Sequence, residues 1–174
     1  VCTEQKHYWL DDWLETANVW GFAPIVLGQG VHWNGFGTKM DLVCEYALTL
    51  PKDEIIAIVD CYDLILNGPM KELMSKFIAI GKPVVIGAEA VCGRNCAPIP
   101  TDTPCKEKYV NGGFVMGSAH MIHTVYKMAK GLCDTDDQLG FCHLVKQNPN
   151  WFHVDHAQAL VCNFRHFGAL EMIE

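Results

Sequence analysis

The sequence has little positive charge: 13 Lys and Arg stand against 20 Asp and Glu, a formal net charge of −7. That balance argues against a nucleic-acid backbone or an anionic membrane as the main partner. No apolar run approaches the roughly 20 residues of a membrane-spanning helix. Internal repeats, low-complexity tracts and an interdomain linker are all lacking, so the 174 residues are expected to form one domain with a real core. The opening Val1-Cys2-Thr3-Glu4 is neither a secretory signal nor a transit peptide. It reads like the end of a strand, and the sequence is expected to begin inside a larger protein.

What is present is the profile of a globular protein, 50% hydrophobic and 19% charged. A protein this acidic would repel a phosphate-bearing ligand unless a cation intervened. A divalent ion held by carboxylates would be the largest local charge in such a site. Cysteine is abundant, with nine residues, an odd count. Cys92, Cys96 and Cys105 share a loop-like stretch whose spacing fits no common zinc pattern; a local disulfide and free thiols both remain open.

Apolar residues Trp9, Leu10, Trp13, Leu14, Ala17 and Trp20 recur at helical spacing, which predicts a helix over 8–20 ended by Gly21. A short strand is expected over 24–28, a Gly- and aromatic-rich loop over 29–37, and a helix over about 39–48. Ile55-Ile56-Ala57-Ile58-Val59 is a continuous apolar run, as in a strand buried on both faces of a parallel sheet. Helices are predicted over 70–80, 119–129 and 136–146, the last capped by Asp134 or Thr135. Strands are predicted over 83–87 and 113–116. This alternation predicts an α/β fold with a mostly parallel sheet flanked by helices.

Asp60-Cys61-Tyr62-Asp63 directly follows the most hydrophobic strand. Ligands of open α/β sheets bind at the carboxyl ends of strands, and a turn can bring Asp63 round to the same point as Asp60. Two carboxylates suit Mn²⁺ or Mg²⁺, which complete their shells with water and substrate phosphate. Alternatively, Asp60 caps the following turn and Asp63 is solvated.

Asp134-Thr135-Asp136-Asp137-Gln138 opens a helix. The helix dipole explains one or two acids there. Three in four positions repel one another unless something cationic or hydroxylic sits among them, and a carboxylate here could orient or deprotonate an acceptor hydroxyl. Asn111-Gly112-Gly113 permits close backbone approach to a ligand, or simply a tight turn. Gly35-Phe36-Gly37-Thr38-Lys39 lacks P-loop spacing, although Lys39 could neutralise a phosphate. Of the eight histidines, only the Asp155-His156 pair suggests a site.

Several of these segments in register resemble the glycosyltransferase domain of procollagen lysyl hydroxylases and related collagen glucosyltransferases, including viral ones. They are Ile58-Val59-Asp60-Cys61-Tyr62-Asp63-Leu64-Ile65-Leu66, Asn111-Gly112-Gly113-Phe114 and Asp136-Asp137-Gln138-Leu139. Val1-Cys2-Thr3-Glu4, Leu27-Gly28 ahead of Trp33, and Ala88-Glu89 with Cys92 fit in the same order, so the resemblance spans nearly the whole chain.

The resemblance implies a GT-A fold, a UDP-sugar donor and Mn²⁺ (Mg²⁺ as a substitute). It implies transfer of glucose to galactosyl-hydroxylysine, or of galactose to hydroxylysine, on collagen-like protein. By the same resemblance Asp60 and Asp63 bind the metal, Thr3 and Tyr62 contact uridine, and Lys39 contacts the phosphates. Asp136 and Asp137 face the sugar and acceptor as catalytic residues, and Glu89, Cys92 and Asn111 line the pocket. A lumenal location would follow for a cellular member and a cytosolic one for a viral member.

Three positions depart from that family. Its His-Gly-x-Gly segment, source of a third metal ligand, has no counterpart here, and His166-Phe167-Gly168 does not align with it. Gly93 replaces an aromatic residue, and Thr135 interrupts the acidic run. The first departure keeps a non-catalytic UDP-sugar-binding or scaffolding domain as the alternative. A metal-dependent phosphohydrolase would need more ligands near the strand ends, His among them, than the sequence supplies.

Overall fold

A computed structural model describes residues 9–61, 64–92 and 96–162. The elements in chain order are helix α1 (Trp9–Val19), helix α2 (Phe36–Leu48), strand β1 (Ile55–Val59), helix α3 (Met70–Ile80) and strand β2 (Val84–Glu89). Strand β3 (Tyr109–Ser118), helix α4 (Ala119–Leu132), helix α5 (Asp137–Gln147) and strand β4 (Phe152–Val154) follow. The four strands form one sheet in the order β1-β3-β2-β4.

The fold is mixed α/β with helices flanking the sheet. Strand β3 pairs antiparallel with both β1 and β2, whereas β2 and β4 are parallel. Three of the four strands therefore share one direction, as an α/β alternation requires, and β3 runs against them. That reversal places the start of β3 beside the carboxyl ends of β1 and β2.

The sheet alternates its side chains between two apolar layers. Val84, Ile86, Ala88 and Val115 join a core formed with Met40, Val43 and Ala47 of α2, Ile122, Val125 and Tyr126 of α4, and Phe141, Leu144 and Val145 of α5. Val85, Phe114 and Met116 face the other way, onto Phe77 of α3. Every residue of β2 is buried. Each fully buried aliphatic side chain there stabilises the fold by about 1.5–3 kcal/mol relative to exposure. A smaller cluster packs Leu10, Trp13 and Ala17 of α1 on Cys61.

Helices α4 and α5 cross so closely that a Cβ at Gly140 would meet the Ala129 carbonyl oxygen at 2.5 Å. Gly21, with φ of 77°, ends the first helical segment as predicted, and Phe22 donates its amide to the Ala17 carbonyl oxygen at 2.9 Å.

Several expectations change. Strand β1 is an edge strand among the described strands, and Ala57 is exposed, so it is not buried on both faces. An apolar run alone does not distinguish an edge strand shielded by side-chain packing from a central one. Residues 24–28 form no strand; Pro24 offers no amide, and Ile25 points into solvent at 62% exposure. Strand β3 extends well beyond 113–116 on both sides, and β4 was not anticipated. Helix α5 is capped by Asp136, which accepts the Leu139 amide at 2.9 Å, and not by Asp134 or Thr135. Cys92, Cys96 and Cys105 are thiols, so the disulfide is not present; the Cys96 amide donates to the Cys92 sulfur at 2.8 Å.

Candidate functional site

The carboxyl ends of two strands and the start of a third converge. Strand β1 delivers Asp60, β2 ends on Glu89, and the early part of β3 supplies Asn111, Gly112 and Gly113. The β2–β3 register jumps from Ile86↔Val115 to Gly87↔Asn111, so Gly112–Phe114 have no partner on β2. This bulge, a device that re-aims a strand beside a site, is what the Asn-Gly-Gly sequence encodes. Proximity requires the glycine at 113, whereas position 112 has room for a methyl. A Cβ on Gly113 would lie 2.9 Å from Asn111 Oδ1 and 3.5 Å from Asp60 Oδ2, and one on Gly112 would lie 3.5 Å from Asp137 Oδ2.

Two helices close the site. Gly35, with φ of 94°, caps the start of α2. A Cβ on Gly37 would meet the Asp134 carbonyl oxygen at 2.7 Å, so the small residue lets α2 dock against the acidic turn before α5. One turn into α2 stands Lys39, buried at 3% exposure. Its ammonium lies 2.8 Å from Asp60 Oδ1 and 2.8 Å from Asp137 Oδ2, and donates to the Gly112 carbonyl oxygen at 3.2 Å.

Burial works against the Lys39 charge, but Asp60 and Asp137 beside it outweigh that penalty and hold the ammonium protonated. The Tyr126 hydroxyl is fully buried, without a hydrogen-bond partner among the described residues. Burial pushes its own phenol up from the ordinary range.

A second network joins β2, β3 and α5. Gln138 Nε2 donates to Glu89 Oε1 at 2.6 Å, and Asn111 Nδ2 donates to Glu89 Oε2 at 3.2 Å. Asn111 Oδ1 in turn accepts the Gly113 amide at 2.9 Å. Glu89, only 4% exposed, thus ties α5 to β3 through both carboxylate oxygens.

Of the residues singled out in the sequence, Lys39, Asp60, Glu89, Asn111 and Asp137 are brought together. Asp136 adjoins them, with one carboxylate oxygen engaged in capping α5. Cys92 lies three residues past Glu89. Thr3, Tyr62 and Asp63 lie outside the described residues.

Asp155, by contrast, has a structural role. Its buried carboxylate accepts the amides of Ala159, Leu160 and Val161 at 2.8–3.0 Å, and His156 Nδ1 sits 2.6 Å from the Glu107 carbonyl oxygen.

Sequence reasoning did not assign roles to Gln138 or Tyr126, or recognise Lys39 as the partner of two acids. The last had a signal. Lys39 shares a helix stripe with Val43 and Ala47, and a lysine on an apolar stripe needs a buried counter-charge. Tyr126 on the apolar face of α4 carried no such signal.

Asp60 keeps 39% of its side chain exposed beside the buried ion pair. Its Oδ2 faces the space that Gly113 leaves open, and hard carboxylate oxygen suits a divalent cation. Among the described residues no group of three His, Cys, Asp or Glu side chains converges to hold a metal. The fit therefore rests on Asp60, with Asp63 outside the described residues.

Fold and site together define a mixed α/β protein whose acids and amides gather at the carboxyl ends of its strands. The chain belongs to the family described as the PLOD GT domain, matched over residues 1–166, and is a glycosyltransferase by that membership.

The chain is 34% identical over 143 residues to the human multifunctional procollagen lysine hydroxylase and glycosyltransferase LH3, covering 75% of this chain and 19% of that protein. It is 26% identical over 140 residues to the multifunctional procollagen lysine hydroxylase and glycosyltransferase of Caenorhabditis elegans, covering 72% and 19%. The uncharacterized protein R699 of Acanthamoeba polyphaga mimivirus is 30% identical over 128 residues, covering 65% and 27%. The chain thus spans about a fifth of the length of the curated procollagen-modifying relatives it matches. Among solved structures, apo mouse xyloside xylosyltransferase 1 superposes with a TM-score of 0.46 at 16% identity, covering 84% of this chain and 58% of that one. No helix among the described residues is long and apolar enough to cross a membrane.

Proposed function

We propose that this glycosyltransferase takes a UDP-sugar, with glucose or galactose as the transferred hexose, and passes it to galactosyl-hydroxylysine or hydroxylysine of a collagen-like protein. The observation that supports this most directly is Asp60: a half-exposed carboxylate at the carboxyl end of β1, beside a buried lysine. The acceptor class is suggested by the names of the relatives. A divalent cation, Mn²⁺ or Mg²⁺, would supply positive charge to the diphosphate as it departs.

The chain's own residues divide the remaining work. Asp60, with Asp63, would hold the cation through its solvent-facing oxygen. Thr3 and Tyr62 would bind the uridine. Glu89 and Asn111 would present a fixed polar wall to the sugar, because each is already oriented by its neighbour. Asp137, with Asp136 at the mouth of α5, would orient the acceptor hydroxyl toward the sugar, converting a bimolecular encounter into an aligned one.

A UDP-release assay with UDP-glucose and UDP-galactose, with and without Mn²⁺, tests the reading. Release that requires Mn²⁺ and is stimulated by a galactosyl-hydroxylysine acceptor supports it, and Asp60→Ala should abolish that release in a folded protein. UDP binding by calorimetry with no release would leave a binding domain only. Undiminished release by Asp60→Ala would remove the metal assignment.

A further inference from the structure

We infer that Lys39 is a positioning residue, an internal counter-ion that fixes Asp137 against Asp60, rather than a ligand of the donor's phosphates. The inference rests on the proposed transferase reading and sharpens it.

An ammonium has three N–H donors and no more. Around Lys39 Nζ stand three oxygens from three elements: Asp60 at the end of β1, Gly112 in the β3 bulge and Asp137 at the start of α5. The side chain is 4% exposed, so it does not present its charge to the open side of the site. Asp137 Oδ2 is buried, and the ammonium 2.8 Å away compensates its charge. An uncompensated buried carboxylate is strongly disfavoured. Asp137 thus depends on Lys39 for its place, whereas a phosphate would have to draw the ammonium off two carboxylates already in contact. The docking of α2 agrees with a permanent arrangement. Gly37 brings α2 in against the acidic turn, since a Cβ there would meet the Asp134 carbonyl oxygen at 2.7 Å, so the backbone is shaped to bring Lys39 to the acids.

A double-mutant cycle of Lys39→Met, Asp137→Asn and the two combined, followed by thermal unfolding and by donor kinetics, tests this. For a chain of this size a single broken buried pair should lower Tm by on the order of 10 °C in Lys39→Met. The double variant should melt well above the temperature expected from adding the two single losses, because neither charge is then stranded. This holds even if Lys39→Met alone fails to fold, since the double variant should then recover folding.

In turnover, Lys39→Met should lower kcat by about 100-fold with the UDP-sugar KM moved less than about 3-fold. It should cost little further in the Asp137→Asn background. Melting shifts that simply add, or a KM raised tenfold with kcat kept, would overturn the inference and return Lys39 to the phosphates. If the wild-type chain releases no UDP, the transferase reading fails. Coupled melting would then still establish the counter-ion, and additive melting would still refute it.

Discussion

Asp60 and Asp137 stand equally close to one ammonium, yet their surroundings differ. Asp60 keeps 39% of its side chain in contact with solvent, and Asp137 keeps 6%. The first ends a strand at the sheet's edge; the second begins a helix packed into the main core. The same charge pair therefore has one open end and one closed end. An open carboxylate can change partners at modest cost, because water compensates it in between. A closed one cannot, so its orientation is part of the fold. A transfer site needs both kinds of group: one that accepts an incoming cation, and one that holds still while an acceptor is aligned.

Stability measurements should separate the two ends most strongly. Asp137→Ala strands a buried lysine against one remaining acid and should cost about 3–5 kcal/mol. Asp60→Ala removes a group that water already reaches and should cost about 1 kcal/mol or less. Chemical denaturation of the two variants checks this, and equal losses would mean that exposure does not distinguish the two acids.

Glu89→Gln should fall between them. Both oxygens of Glu89 accept from amides, so a glutamine sets its own NH₂ against the NH₂ of Gln138 or Asn111 and should cost about 1–3 kcal/mol. If stability is unchanged, the Glu89 link is not what fastens α5 to β3.

The glycine pair of the bulge gives a smaller contrast. Gly113→Ala places a methyl 2.9 Å from Asn111 Oδ1, forcing that side chain to move, whereas Gly112→Ala meets Asp137 at an ordinary 3.5 Å. Gly113→Ala should lower turnover about tenfold with a loss of about 1 kcal/mol, and Gly112→Ala should stay within about 0.5 kcal/mol of wild type. Equal effects would show that the bulge tolerates a side chain beside either acid.

The smallest effect lies outside the site. Burial holds His153 below its ordinary range, against the pull of Asp155. A histidine with a lowered folded-state pKa takes up its proton more readily when unfolded, so it withdraws stability as pH falls through 6.5 toward the folded value. His153→Gln should flatten the fall in Tm between pH 7.5 and about 5.5 slightly, since the group is only partly buried. An unchanged slope would assign the acid sensitivity to other groups.

Much of this architecture was legible in the chain. The β1 run, the α3 pattern and the apolar faces of α4 and α5 follow from periodicity, because each element must bury one stripe or one face. Asp60 was legible for the same reason: an acid that halts an apolar strand stands at a strand's carboxyl end. The acidic turn before α5 also announced that something cationic or hydroxylic should sit there, and Lys39 stands beside Asp137. Strand β4 escaped notice because three residues are too short for a period. The β3 direction escaped because alternation along a strand is the same whichever way its neighbours run.

By itself the sequence determined which residues are apolar at which period, where helices end, and that carboxylates and small residues cluster at three places along the chain. Those are local properties, set by side-chain chemistry within a few residues. Only the tertiary structure decided that the three places are one place. The reversal of β3 brings its bulge against Asp60, Gly37 lets α2 slide in beside the acidic turn, and the buried ammonium joins residues 39, 60 and 137. No local rule contains that meeting, because it sets the desolvation cost of three charges against their mutual attraction, and those charges are far apart in sequence and in contact only once the core has closed.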